Sequence, residues 1–200
     1  RSFEEKFGLI LYNTYGLSEL LFISVNSPLL HSTRGVGKVL PGCNISIIDM
    51  FGKELPPGEL GEIVVSSSYK MRGYFAKNIE TSQDQNRSFP TGDIGYIDTD
   101  NFLYITDRKK DLIIRGGINI SPAEIEEVII QSNLVREVAV VGIPNILQGE
   151  TIVAVINPRP DFCETDLLTH CRRLLSSFKV PEQLLYLSDF PKSVTGKIQK

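Results

Sequence analysis

Histidine and cysteine are scarce in this chain, and neither a long apolar run nor an excess of positive charge is found in it. The 200 residues include two histidines and three cysteines. His31 and His170 each stand alone and read as structural or solvent-facing rather than catalytic. Cys43, Cys163 and Cys171 form no metal-ligand spacing. So odd and sparse a set is no disulfide framework, and it fits a reducing, cytoplasmic setting. Cys163 and Cys171 flank or lie in a predicted helix and read as packing residues. The formal net charge is −3 and neither half is basic, which argues against nucleic acid as a partner. No apolar run approaches the roughly 18 residues of a membrane-spanning helix. The start, Arg1-Ser2-Phe3-Glu4-Glu5, lacks the basic-then-apolar order of a signal peptide. HExxH, GxSxG and GxGxxG are all absent, and Gly196-Lys197 lacks the earlier glycine and the following hydroxyl residue of a phosphate loop.

What is present is an ordinary globular composition. A hydrophobic content of 42% is enough for a core, and the length allows one large or two small domains. Residues 7–12 read as a buried strand, followed by a turn at Asn13–Gly16 and an apolar run at Leu20–Val25. That strand has little before it to pair with, and the chain stops soon after Lys197. Both features are expected of the C-terminal portion of a longer protein. Over 35–106 short β-patterned runs alternate with glycine and proline turns. Strands are expected at Cys43–Asp49, Gly61–Ser66 and Phe102–Thr106, with turns at 49–52, 56–58 and 98–101. That spacing suits a small barrel or sandwich.

The pattern changes after the charged joint at 107–111. Leu112–Arg115 and Ile118–Ile120 flank Gly116-Gly117, a two-residue hairpin signal. Ser121-Pro122-Ala123-Glu124 opens a helix as a capping box with proline in the first turn. Ile125, Val128 and Ile129 form its inner face. Strands at Val138–Ile143 and Thr151–Ile156 end at Pro144 and Pro158. Thr165 caps a second helix that turns Leu167, Leu168, Cys171, Leu174 and Leu175 inward, and Leu184–Leu187 is a last strand. The expectation is α/β overall: a small β-rich, barrel-like subdomain within 1–106, a hinge at 107–111, and a compact α+β lid domain over 112–200.

A few residues could carry chemistry. Asp93 follows Thr91-Gly92 on what reads as a tight glycine turn. A carboxylate there can accept two hydrogen bonds from a ribose diol, or it can simply cap the turn. Lys197, on a glycine loop, can neutralise a phosphate oxygen, or be an ordinary surface lysine. In Tyr15-Gly16-Leu17-Ser18-Glu19 a hydroxyl and a carboxylate could hold an α-phosphate and Mg²⁺, or be plain turn residues. Arg108, Lys109 and Lys110 make either a solvated loop or a linker that changes partners. An acid for sugar hydroxyls, a mobile cation for a phosphate and a joint between them point to a nucleotide-handling enzyme with a moving lid.

Taken in order, the segments YGLSE (15–19), GVGKVLPG (35–42), GKELPPGELGEIVV (52–65), the run from Thr91 to Ile129, and PKSVTGKI (191–198) resemble the adenylate-forming superfamily of acyl- and aryl-CoA ligases, luciferases and peptide-synthetase adenylation domains. The resemblance spans nearly the whole chain. It implies activation of a carboxylic acid by ATP as an acyl-adenylate, then attack by a thiol, usually that of coenzyme A. By position, it implies that Tyr15 packs beside adenine and that Ser18, in place of the commoner threonine, bonds the α-phosphate. Glu19 would hold Mg²⁺, and Asp93 would bind the ribose with help from Arg108. Lys110 takes the hinge position. Gly116, Gly117 and Asn119 line the pantetheine channel, and Lys197 stabilises charge during adenylation.

The chain departs from many relatives with Asn119 where Arg or Gln is common and Ile114 where Lys is common. The family's Ser/Thr/Gly-rich phosphate loop is not in this chain, so the chain alone is expected not to catalyse adenylation. Leu17 and Leu20 are expected near the acyl pocket and favour a fatty or other apolar acid. Two alternatives stand beside the CoA ligase: an adenylation domain that loads a carrier protein, and a non-enzymatic binding module built on the lid fold.

Overall fold

The chain divides inside its charged joint. The computed structural model describes residues 2–29, 35–73, 88–194 and 196–200. They form two compact units, Arg1–Lys109 and Lys110–Lys200. His31 and Thr195 lie outside the described residues.

The first unit is built of antiparallel sheets. Helix α1 (Ser2–Phe7) precedes β1 (Thr14–Leu17), β2 (Leu21–Val25) and β3 (Lys38–Val39), which pair in that order. A second sheet is the meander β4 (Cys43–Ile48), β5 (Gly61–Ser67), β6 (Phe89–Ile97) and β7 (Leu103–Arg108). Tyr15 and Ile23 from the first sheet and Leu20 from its β1–β2 turn share one core with Ile47, Ile63, Val65 and Leu103 from the second. Among the described residues the sheets are open, so the expected β-rich subdomain is present without a closed barrel. The three expected turns also form. At the first, Asp49 Oδ1 accepts the backbone N–H groups of Phe51 and Lys53.

Three local expectations are corrected here. Residues 7–12 are not a strand. Helix α1 ends at Phe7; the next N–H, of Gly8, donates to Glu4 O at 2.8 Å, and Glu4 Oε1 accepts the N–H of Leu11 at 3.0 Å. Leu9, Ile10 and Leu11 are exposed, and no described strand of this unit pairs with them. Second, Thr14–Leu17 is strand rather than turn, because the chain reverses later, at 18–20. Third, the motif at 91–93 lies inside the long strand β6. Pro90 pairs with Val64 and Ile94 with Glu62, so 91–93 bulge opposite Ile63 alone. The glycine reading survives in part: Gly92 takes φ +73°, which an L side chain adopts at a cost.

The second unit is α+β. Strands β8 (Ile113–Arg115), β9 (Ile118–Ile120), β10 (Val135–Asn145), β11 (Gly149–Pro158) and β12 (Gln183–Tyr186) form one sheet. β10 pairs along one edge of β11, which leaves the other edge to β12, in parallel, and to β8 at Gly149–Arg115. Helices α2 (Pro122–Gln131) and α3 (Glu164–Leu174) cover it. Ile125 and Ile129 of α2 and Leu167 and Cys171 of α3 pack with Val140, Ile152, Ala154 and Ile156. Burial pushes the Cys171 thiol up. Ser121 caps α2 as the sequence predicts, its Oγ accepting the Glu124 N–H at 3.2 Å.

Other details differ. β10 runs on through Pro144, which pairs with Glu150; β10 is an edge strand, where proline is tolerated. The residue capping α3 is Cys163 rather than Thr165, and no side chain bonds there. Leu174 faces solvent while Leu175, just past the helix, is buried; Cys163 is exposed rather than packed. No described helix is long and apolar enough to cross a membrane.

Candidate functional site

Asp93 is where the expected residues of the first unit converge. The β6–β7 register sets it directly opposite Arg108. Its side chain is 6% exposed, and Oδ1 lies 3.2 Å from Arg108 Nε. Oδ2 accepts the hydroxyl of Tyr15 at 2.6 Å. The bulge orients the backbone as well: Thr91 Oγ1 donates to Ile63 O at 2.8 Å and accepts the Asp93 N–H at 3.1 Å. Burial, then the bond to Asp93, raises the Tyr15 phenol above its ordinary value of 10.0. The phenol therefore stays neutral at physiological pH and remains a donor. Tyr15 and Arg108 engage different oxygens of the carboxylate, and a carboxylate oxygen can accept more than one hydrogen bond. The Arg108 side chain is 59% exposed, free to meet a ligand while it holds Asp93.

Ser18 and Glu19 occupy the β1–β2 turn, three residues or so beyond Tyr15 in the chain. Ser18 is exposed and Glu19 half-buried, with Glu19 O accepting the Met71 N–H at 2.8 Å. Leu20 is wholly buried in the core of the first unit, and Leu17 packs against that core. Leu20 therefore supports the sheet instead of lining a pocket, which withdraws its bearing on the acid. Among the described residues no group of three or more His, Cys, Asp or Glu could hold a metal ion. A single carboxylate such as Glu19 matches the way Mg²⁺ is held when phosphate oxygens and water complete its shell.

In the joint, Lys109 is held to the first unit: its Nζ lies 2.7 Å from Glu62 Oε2. Lys110 follows, exposed, in the 3-10 turn Lys109–Asp111. The glycine hairpin forms as the sequence predicts, with Arg115 paired to Ile118 and both Gly116 (φ +56°) and Gly117 (φ +79°) left-handed. A Cβ on Gly117 would meet nothing within 4 Å, so its surface is open. Asn119 is exposed on β9. Lys197 sits in a closed loop: Ser193 N–H donates to Lys197 O at 2.8 Å, the Lys197 N–H to Ser193 Oγ at 3.2 Å, and the Gln199 N–H to Pro191 O at 2.8 Å. Its side chain is exposed. Neighbouring lysines are paired, Lys192 with Glu137 at 2.5 Å and Lys200 with Glu126 at 2.6 Å.

The structure thus brings Tyr15, Asp93 and Arg108 together. It places Lys110, Gly116, Gly117, Asn119 and Lys197 in the other unit. Sequence reading gave Thr91 no role of its own. The available signal was a hydroxyl residue two before an aspartate, the spacing of a side-chain turn. It also missed Glu62, on β5, and the partners of Arg115, in a loop, a 3-10 turn and the lead-in to β12, all distant in sequence and without a local pattern.

Comparison with known proteins identifies the chain. The AMP-binding enzyme family model matches residues 1–75, and the AMP-binding enzyme C-terminal domain model matches 124–197. A long-chain-fatty-acid–CoA ligase of Escherichia coli is 37% identical over 96% of this chain and 35% of its own length. A sulfoacetate–CoA ligase of Cupriavidus necator is 34% identical over 100% of this chain and 40% of its own. The crystal structure of ATP-bound MatB from Rhodopseudomonas palustris superposes with a TM-score of 0.87 at 32% identity, over 98% of this chain and 40% of that one. This chain spans less than half the length of each of these proteins. With family matches in both units and relatives aligned along nearly its whole length, the chain belongs to the AMP-binding enzyme family, alongside its acyl-CoA ligases.

Proposed function

We propose that the chain forms part of an ATP-dependent acid–thiol ligase, which activates a carboxylic acid as acyl-AMP and transfers the acyl group to coenzyme A. The observation that carries this reading is the Asp93 carboxylate, buried and oriented by the Tyr15 hydroxyl on one oxygen and by Arg108 on the other. A ribose diol has the two donors that such a group accepts. Tyr15 serves this role through its hydroxyl, which holds Asp93, while its ring packs in the core of the first unit. Ser18 would bond the α-phosphate, and Glu19 would give one oxygen ligand to Mg²⁺. The ion supplies charge neutralisation on the phosphates when bound.

The second unit supplies two reactive elements in this reading. Lys197, an unburied ammonium on a closed loop, stabilises negative charge that develops at the carboxylate and α-phosphate. The Gly116-Gly117 turn, beside Asn119, offers side-chain-free backbone along which the pantetheine thiol can approach. Rotation about Lys110 presents one and then the other, so that adenylation and thioester formation alternate. Lys109, tied to Glu62, marks the fixed side of that pivot.

For the acid we propose an apolar chain, fatty acids first, on likeness to the Escherichia coli ligase; the sulfoacetate relative defines the opposing case. The test is product mass spectrometry with the full-length enzyme, ATP, Mg²⁺, coenzyme A and pooled acids that include fatty, aryl and sulfonated members. Acyl-CoA of a fatty acid is the expected product. Acyl-adenylate without thioester would redirect the reading to a carrier-protein acceptor. ATP-independent behaviour across the pool would overturn it.

A further inference from the structure

The glycine turn at 116–117 is a poorly supported element by backbone alone. Two consecutive left-handed glycines carry the largest conformational freedom a turn can have. The flanking strands β8 and β9 are three residues each, and β8 joins the rest of the sheet through the single pair Arg115–Gly149. A turn required to present its backbone to a ligand must nevertheless hold one pose, because small misplacements cost rate steeply.

Arg115 supplies what the ladder lacks. Its side chain is 19% exposed and reaches three separate segments. Nη2 meets Glu182 Oε1 at 2.7 Å, just before β12. Nη1 donates to Phe178 O at 2.7 Å in the 3-10 turn Ser177–Lys179. Nε donates to Gln148 Oε1 at 3.2 Å in the β10–β11 loop. Gln148 closes the circuit: its backbone oxygen accepts the Gly116 N–H at 2.7 Å, and its Nε2 donates to Glu182 Oε1 at 2.9 Å and to the buried Thr151 hydroxyl at 3.3 Å. The first glycine of the turn is thus hydrogen-bonded to the residue that Arg115 holds.

We infer that Arg115 is a positioning residue for thioester formation: with Gln148 and Glu182 it locks the Gly116-Gly117 turn in the pose past which the thiol travels. This rests on the reading that Gly117 borders the thiol channel. The guanidinium fork is what the geometry requires, since three directed N–H donors in one plane serve three acceptors, and a lysine ammonium cannot reproduce that spread.

The test uses the full-length enzyme and measures its two half-reactions separately, as acid-dependent pyrophosphate exchange and as transfer from preformed acyl-adenylate to coenzyme A. For Arg115→Gln the ratio of transfer to exchange is expected to fall about tenfold or more. The KM for coenzyme A should rise, and amide hydrogen exchange over 112–120 should quicken. Gln148→Leu, a second break in the same circuit, should act alike, and Arg115→Lys should recover part of the ratio. If both half-reactions fall together with Tm, Arg115 is only a structural strut and the inference is overturned. If Gly117→Leu blocks transfer while Arg115→Gln leaves the ratio unchanged, the positioning role fails and the channel reading stands. If Gly117→Leu itself leaves transfer intact, the channel reading fails and the inference goes with it.

Discussion

Replacing Tyr15 with phenylalanine removes one atom from a buried polar contact in the first unit. The ring stays in the core with Leu20, Ile23 and Ile63, so packing is conserved. What is lost is the 2.6 Å donor to Asp93 Oδ2. A hydrogen bond to a charged group contributes about 1.5–3 kcal/mol, and the buried acceptor is left short of a partner. The exposed Arg108 guanidinium can swing toward the vacated oxygen, which holds the expected loss near 2 kcal/mol at neutral pH.

The pH dependence makes the test specific. The Tyr15 phenol is raised above 10.0, so the folded state binds this proton more tightly than the unfolded state. Its stabilisation is complete below pH ~10 and declines as pH rises beyond it, by up to about 1.4 kcal/mol per pH unit. The variant has no such proton. Other tyrosines and lysines titrate in both proteins and cancel in the difference. The gap between wild type and variant should therefore narrow by about 1.4 kcal/mol between pH 9 and pH 11. With no tryptophan in the chain, urea unfolding is best followed by far-UV circular dichroism. A gap that is absent at pH 7, or one that does not narrow in alkali, would refute the Tyr15–Asp93 argument.

Lys197→Ala in the full-length enzyme should slow adenylation by roughly 10²-fold or more, read as acid-dependent pyrophosphate exchange; an unchanged rate removes Lys197 from that step. Ser121→Ala strips the N-cap of α2 and should cost about 1 kcal/mol in urea unfolding, with Ser121→Asp near neutral. Ile129→Ala, at a wholly buried site, should cost about 2–5 kcal/mol, whereas Leu174→Ala, at an exposed one, should stay within about 0.5 kcal/mol. Similar losses at the two sites would contradict the contrast between buried Ile129 on α2 and exposed Leu174 on α3.

Features that rest on local physical chemistry were legible in the chain itself. The Ser121 cap, the proline in the first turn of α2, the Ile125 and Ile129 stripe, the Gly116-Gly117 hairpin and the Asp49 turn each depend on neighbours within a few residues, and all formed as read. The ordered motifs likewise identified the family, because their spacing is carried by sequence alone. Tertiary structure decided the rest. Pro90, Gly92 and Gly95 hide β6 from a periodicity search, yet pairing with β5 and β7 holds it as a strand and turns its bulge into the seat of Asp93. Residues 7–12 have the composition of a strand but no partner among the described residues of their unit, and a β-ladder needs one. Leu174 and Leu175 are alike in composition, and only the end of α3 between them buries one and exposes the other. Asp93 gains its two fixed partners, and Arg115 its three, from residues up to 78 positions away, since a hydrogen bond depends on distance in space and leaves no mark in the local order of residues.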